Sequence, residues 1–346
     1  MQPIYSPANL FNGKQVSTFR LVNIKGTEAI ISNYGAIILS FKIRKEDGSM
    51  NDIVLGFDKP EDYLDEKYLK SYPMFGAAVG RYGNRIKNGK IEIDGIKYQL
   101  PLNIGADHLH GGFIGFDKKV WDIDLFDEQN NILQLSLLSA DGEEGYPGNL
   151  KVSIRFELND DNELSHEYTA STDKATAINL THHSYFNLNN GKGRVDNQFI
   201  RINASSILAQ DENLCTDGNL INVEGTRFDF TESHSMAEQW GNEEGYDQSF
   251  VVNKKEKELA WVAEAWSDES KTKLEVATTE PVVHFYTGIW IPTVTGKNNT
   301  PYAPYSGFCF ETQVHPNAIN VPSFPNTILR PGEVYNHKTI YRVSNL

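Results

Sequence analysis

The sequence predicts an all-β protein: a single large antiparallel β-sandwich covering residues 1–346 as one domain, with a few short peripheral helices. Three observations predict it. Apolar and polar residues alternate with period two along most of the chain, helical spacing is confined to two short stretches, and no polar linker long enough to separate domains interrupts the pattern. With 39% hydrophobic residues, among them 18 Phe, 16 Tyr and 5 Trp, the chain can fill a core larger than that of a small immunoglobulin-like sandwich.

Taken in order, Ala29 to Ile43 is rich in apolar residues and breaks at Tyr34-Gly35, which predicts two buried strands joined there. Pro60 to Lys70 has acidic residues early and lysines late, as a helix dipole favours, and predicts a short helix. Ile91 and Ile93 precede Asp94-Gly95, the pair that favours a type I′ turn, and Ile96, Tyr98 and Leu100 follow, which predicts a hairpin. A longer one is predicted from Val152-Ser-Ile154-Arg-Phe156-Glu-Leu158, the turn residues Asn159 to Asn162, and the returning Leu164, His166 and Tyr168. Thr231 to Trp240 is the second predicted helix. The loops at 253–258 and 296–301 are short enough to connect strands.

Charge and cysteine usage narrow the function. The 46 acidic residues against 32 basic ones leave a net charge of −14, which repels phosphate backbones and anionic lipid, so neither nucleic acid nor membrane is an expected partner and a neutral small molecule is. Cys215 and Cys309 lie far apart and form neither a disulfide framework nor a C-x-x-C pair, which fits the cytoplasm. Met1-Gln-Pro-Ile-Tyr-Ser-Pro7 carries no basic and apolar leader pattern, and no protein partner is evident. Gly83 to Lys90 has the wrong glycine spacing for a phosphate loop, with Ile91 where a hydroxyl should follow, and no G-x-S-x-G is present. His108-Leu-His110 has a spacing that could ligate a metal if extended, but no glutamate follows as in cupin-type sites, so no metal and no cofactor is expected.

Four polar clusters set among glycine and aromatic residues carry the chemistry: Gly80 to Ile86 with Asn84 and Arg85, Leu109-His110-Gly-Gly112, Asn179 to Asn187, and Gly307 to Gln313. In the last, strand parity puts Phe308 and Phe310 on one face and Cys309, Glu311 and Gln313 on the other. In the third, parity groups His183 with Tyr185 and Asn187, and His182 with Ser184 and Phe186, so only one of the adjacent histidines can face a given ligand. Aromatic and amide neighbours suit a sugar, whose C–H faces stack and whose hydroxyls need donors and acceptors. A glutamate and a histidine at one sugar could open a hemiacetal ring, one removing the anomeric proton as the other protonates the ring oxygen.

These clusters resemble the galactose mutarotase (aldose 1-epimerase) family. The resemblance spans nearly the whole chain and also includes Asn33-Tyr-Gly-Ala36, Asp52 to Asp58, Gly115-Phe-Asp-Lys118, Gly145 to Leu150, Phe285-Tyr-Thr-Gly288 and Leu329 to Glu333. It implies a galactose mutarotase-like supersandwich acting in hexose and galactose metabolism on D-galactose, with D-glucose and related aldoses as secondary substrates. It further implies that Glu311 is the general base, His183 the general acid, and His110 a contact near the ring oxygen. Asn84 and Arg85 would hold hydroxyls, and Asp247 would accept hydrogen bonds from others. His284 would be a substrate contact where many members carry Gln, and His182 stands where many carry Asn. Three rivals remain: a non-catalytic sugar-binding module, an epimerase of hexose 6-phosphates, and a glycosidase pairing Asp247 with Glu311.

Overall fold

The computed structural model describes residues 10, 11, 13–240 and 245–346; the opening residues inspected for a leader lie outside the described residues. A nine-stranded antiparallel sheet runs in spatial order Asp122–Asp127, Ile132–Ser139, Leu150–Leu158, Glu163–Thr172, Tyr335–Asn345, Thr272–Thr278, Ala260–Ser267, Phe199–Ile202 and His234–Ser235. A six-stranded sheet runs Tyr185–Phe186, Phe308–Gln313, Val282–Tyr286, Asp247–Val252, Ala204–Leu208 and Leu220–Asn222. One apolar core joins them. Ile154, Phe156, Leu274 and Tyr341 from the first meet Phe250, Phe285, Phe308 and Phe310 from the second, all at most 1% exposed. A four-stranded sheet, Thr18–Val22 to Met50–Asp52, adds Phe19, Ile31 and Phe41 to the same core.

The expected hairpins form. Leu150–Leu158 pairs with Glu163–Thr172 from Leu158↔Leu164 outward, and Lys90–Ile93 pairs with Ile96–Gln99. Asp94 and Gly95 both take positive φ, 53° and 79°, as a type I′ turn demands. Glu28–Ser32 and Ile38–Arg44 are the two buried strands on either side of Gly35. There an added Cβ would lie 2.4 Å from the Asp117 carbonyl oxygen, so only glycine permits the approach.

The helical expectations change. Pro60 to Lys70 is two elements, a 3-10 turn Pro60–Leu64 and an α-helix Glu66–Ser71. Asp65 separates them because its extended backbone lets its carboxylate accept from the Lys67 and Tyr68 amides as a cap. Thr231 to Trp240 contains no helix. Met236 and Trp240 are buried at the four-residue spacing that imitates one, but His234–Ser235 is drawn into edge pairing with Phe199 and Ile200, and turns complete the segment. Among the described residues no helix is long and apolar enough to cross a membrane.

Three histidines are locked inside the sandwich. His166, His182 and His337 are at most 1% exposed, with the His166 and His182 rings 5.1 Å apart. Burial pulls His182 down to about 4 and His337 to about 3, and holds His166 well below the ordinary value. The unfolded chain therefore binds more protons than the folded one once the pH drops below about 6.5, and stability falls with pH. Each histidine contributes a slope of about 1.4 kcal/mol per pH unit between that pH and its folded value. Urea midpoints measured from pH 7 to pH 5 should fall steadily, and His182→Asn, which takes up no proton, should flatten the slope. Midpoints independent of pH in the wild type would contradict this.

Candidate active site

The six-stranded sheet has two unlike faces because side chains alternate along its strands. Phe308, Phe310, Phe285 and Phe250 point into the main core, and the residues between them form the opposite face. Antiparallel register sets His284 opposite both Glu311 and Ser249, and sets Tyr286 opposite both Cys309 and Asp247. Tyr185 also pairs with Cys309, and His183 precedes it on the short strand Thr181–His183. The second wall comes from Arg85–Ile86, paired with His108–Leu109. Beyond it the chain turns through His110, Gly111 and Gly112 with φ of 51°, 83° and 104°. Gly111 has no substitute, since a Cβ there would sit 2.0 Å from the Gly80 carbonyl oxygen.

Between the walls lies a cavity of about 460 Å³ lined by Asn84, Arg85, His110, His183, Asp247, His284 and Glu311, together with Tyr72, Tyr185, Tyr286 and Trp290. All seven site residues read from the sequence thus meet in one cleft. Glu311 is 2% exposed, its Oε1 is 3.6 Å from His183 Nε2, and its Oε2 has no hydrogen-bond partner. At that separation the imidazole does not consume the carboxylate in a direct hydrogen bond, so each group remains able to engage a ligand. The His183 ring stacks on Tyr185 at 4.9 Å and 22°, and its Nδ1 is 3.5 Å from the Cys309 sulfur. Burial, with Glu311 and Asp247 nearby, pushes the Cys309 thiol well above its ordinary value, so the sulfur keeps its proton.

His110 has a fixed tautomer. The Asn84 backbone amide donates to its Nδ1 at 3.1 Å, while the His110 amide donates to the Asn84 carbonyl oxygen at 3.2 Å. An amide N–H can only donate, so Nδ1 must be the unprotonated nitrogen and Nε2 must carry the hydrogen. Burial, reinforced by His183 and Arg85, holds His110 well below the ordinary histidine value, so it is a neutral hydrogen-bond donor. Burial pushes Asp247 up, but the His284 Nε2–H at 2.8 Å, with Arg85, outweighs burial and holds the carboxyl below its ordinary value. His284 Nδ1 meets the Ser249 hydroxyl at 2.8 Å, so both of its ring nitrogens are engaged by the protein. Arg85 is half-buried with no ion pair among the described residues.

The parity reading of the adjacent histidines holds in part. His183 lines the cavity beside Tyr185, whereas His182 turns inward, bonded to the Ser184 hydroxyl at 3.0 Å and the Ala36 carbonyl at 3.2 Å. Asn187 does not share the His183 surface; the strand breaks between His183 and Tyr185, and the Asn187 amide donates to Lys192, Gly193 and Ser306 carbonyls instead. His108 and His110 do not face one site. The left-handed backbone of His110 ends the extended run, and His108 is spent on the Tyr146 hydroxyl at 2.7 Å and the Pro101 carbonyl at 2.8 Å. Cys309 lies on the Glu311 face, as strand parity predicts, whereas Ser249 and Trp290 are not predicted from the sequence; register with the neighbouring strand brings Ser249 to the site. Trp290, 70% exposed, lies on the cavity rim.

His110, His183 and Glu311 place ligand-type atoms within 4.8 Å of one another. That donor set does not fit a metal. The Asn84 amide occupies the one lone pair of neutral His110, and its other nitrogen carries the hydrogen.

Comparison with known proteins agrees with this geometry. The aldose 1-epimerase family profile matches residues 17–342. A galactose mutarotase from Rattus norvegicus is 41% identical over 96% of this chain and 95% of its own, and one from Homo sapiens is 40% identical over 91% and 90%. An aldose 1-epimerase from Escherichia coli is 34% identical over 97% and 98%. The crystal structure of an aldose epimerase homologue from C. elegans superposes with a TM-score of 0.88 at 28% identity, covering 96% of this chain and 99% of that one. That of a galactose 1-epimerase from Lactobacillus acidophilus gives 0.84 at 29%, covering 97% of each. A supersandwich with a Glu, two His and an Arg gathered in one cleft, and matches that run nearly end to end, place this chain in the aldose 1-epimerase family, enzymes that interconvert the anomers of free sugars.

Proposed function

We propose that the protein is a cytoplasmic galactose mutarotase of one domain, with D-glucose and related aldoses as secondary substrates. The observation that carries the reading is the buried Glu311–His183 pair, separated by 3.6 Å in the wall of a sugar-sized cleft. Glu311 takes the proton from the anomeric O1. The electrons of that O–H bond form C1=O1 as the C1–O5 bond breaks, and O5 receives a proton from His183 Nε2 as the general acid. The open aldehyde turns about C1–C2, and the reverse steps close the other anomer and restore both groups. His110, donating from Nε2, steadies charge developing near O5. Asn84, Arg85 and Asp247 hold the remaining hydroxyls, and the tyrosines and Trp290 cover the apolar C–H surface.

The test is polarimetric: purified protein should speed the drift of freshly dissolved α-D-galactose, and an unchanged drift would sink the assignment. Arg85→Met should raise KM by about tenfold or more with a smaller effect on kcat, because it removes charge-assisted hydrogen bonds to hydroxyls. A selective loss of kcat would instead give Arg85 a part in the chemical step.

The cleft also speaks against the rivals. A sugar phosphate needs a cluster of cations, and among the described residues Arg85 is the only Lys or Arg lining the cavity. Arg81 points away from it, bonded to the Pro147, Gly148, Ser139 and Ala140 carbonyls. A glycosidase needs two carboxyls free to act across one bond, yet Asp247 is held by His284, and it is His284 that the register sets opposite Glu311.

A further inference from the structure

The cleft wall contains a continuous hydrogen-bonded chain that the ring-opening chemistry does not use: Asp247 Oδ1, His284 Nε2, His284 Nδ1 and Ser249 Oγ, with both links at 2.8 Å. We propose that His284 is a positioning residue, and that this chain stores one proton behind the hydroxyl-binding wall, so that affinity for the sugar, more than the chemical step, responds to pH. The inference rests on the reading above in which Asp247 accepts hydrogen bonds from sugar hydroxyls.

The chain keeps both ring nitrogens of His284 hydrogen-bonded in two proton states. As an imidazolium, His284 donates to Asp247 from Nε2 and to the Ser249 oxygen from Nδ1. As a neutral ring it still donates to Asp247, and the Ser249 hydroxyl turns to donate to Nδ1. Only a hydroxyl rotation separates the two, so the proton can come and go without moving the wall. His284 is 3% exposed and cannot exchange its partners for water in either state.

The charge of that one proton is felt nearby. Asp247 and Ser249 face His284 from the strand Asp247–Val252, and Glu311 faces it from Phe308–Gln313. Arg85 and His110 come from the opposite wall, with His183 on the floor beside Glu311. Burial pulls His284 down, but the bond to Asp247, with the charges of Asp247 and Glu311, outweighs burial and holds it above the ordinary histidine value. Below that ionisation the pair Asp247⁻–His284⁺ is neutral overall. Above it Asp247 carries an uncompensated charge and becomes the stronger acceptor for a hydroxyl. Affinity for galactose should therefore rise as the proton leaves. A Gln at this position can hold Asp247 but has nowhere to keep the proton, so the chain is a property of the His at 284.

The experiment follows His284 by NMR, its ring signals assigned by their absence in His284→Gln, beside calorimetric titration of D-galactose between pH 6 and pH 9. The expected result is a wild-type His284 titrating above ordinary histidine, and titrating about one pH unit or more lower in Asp247→Asn. Ser249→Ala should lower it less. Galactose affinity should tighten by about 3- to 10-fold across the same transition, as one hydrogen bond gains charge assistance. His284→Gln should keep its affinity constant over that range. A His284 that ignores Asp247→Asn, an affinity without pH dependence, or a His284→Gln protein that retains the dependence would each overturn the inference. Because binding is read without turnover, pH-dependent binding with no polarimetric activity would sustain the inference while overturning the mutarotase reading.

Discussion

Glu311→Gln should lower the rate of galactose anomer exchange by about 10²- to 10⁴-fold, the range that one positioned acid–base group supplies, with little change in KM. The substitution keeps shape and polarity and removes only the ability to take a proton. The site makes this a clean experiment. Glu311 sits in the strand Phe308–Gln313 between Phe310 and Thr312, held by pairing to His284 rather than by contacts of its carboxylate, whose Oε2 has no partner. Replacing a buried charge with a neutral isostere leaves packing intact and relieves desolvation, so the thermal unfolding temperature should stay level or rise. His183→Gln should fall into the same range, and the double variant should lose little more than either single one, because the two groups act as a unit in moving one proton on and one off. Polarimetry with each variant decides the matter. A Glu311→Gln protein that only raises KM would reduce Glu311 to a hydroxyl ligand.

The second large effect falls on stability. Arg81→Met should cost about 3–5 kcal/mol, read as a drop in the urea midpoint. Arg81 is 2% exposed, and burial pulls its guanidinium down only to about 10, so it enters the fold as a cation. It makes six hydrogen bonds, three from Nη1 to Pro147, Gly148 and Thr176 and three from Nη2 to Ser139 and Ala140. Removing the fork strands three buried carbonyls and one part-buried one at once, and no lysine reproduces it, since a single ammonium cannot span both sets. The same residue ties Gly80–Arg85, the segment that carries Asn84 and Arg85 into the cleft, to the end of the strand Ile132–Ser139. Arg81→Lys should therefore also lose stability, by more than half of the Met effect. A loss below about 1 kcal/mol for Arg81→Met would show that water replaces the guanidinium.

What the sequence disclosed depended on whether one strand sufficed to say it. The two hairpins, the break at Gly35, and the division of Phe308 and Phe310 from Glu311 are all consequences of period-two alternation, visible within a dozen residues. That His183 rather than His182 lines the cleft follows from the same alternation, since one residue of parity separates cleft from core. Asn187 failed because parity carries no further than an unbroken strand, and the chain bends at Ser184. Thr231 to Trp240 failed because Met236 and Trp240 bury themselves from turns at a spacing that a helix would also give. The shared face that His108 and His110 would have in an extended segment does not form, because His110 takes positive φ and nothing local announces that for a non-glycine residue. Ser249 was invisible as a site residue, since it owes its place to a partner on another strand, whereas parity alone put Cys309 on the Glu311 face. The residues that line the cleft were legible as motifs, whereas a group that orients one of them, Ser249 beside His284, is a product of register.

That register has a consequence for how the chain can vary. In Phe308–Gln313 the same six residues specify the floor of the cleft and the ceiling of the core by turns. Inserting or deleting one residue would drive Glu311 into hydrocarbon and lift Phe310 into the sugar site together. Such a lesion cannot be traded, a little activity for a little stability, because both messages are written on alternate letters of one word. Length variation must therefore be sought outside these strands, in exposed connections such as residues 255–258, where adding a residue rewrites neither message.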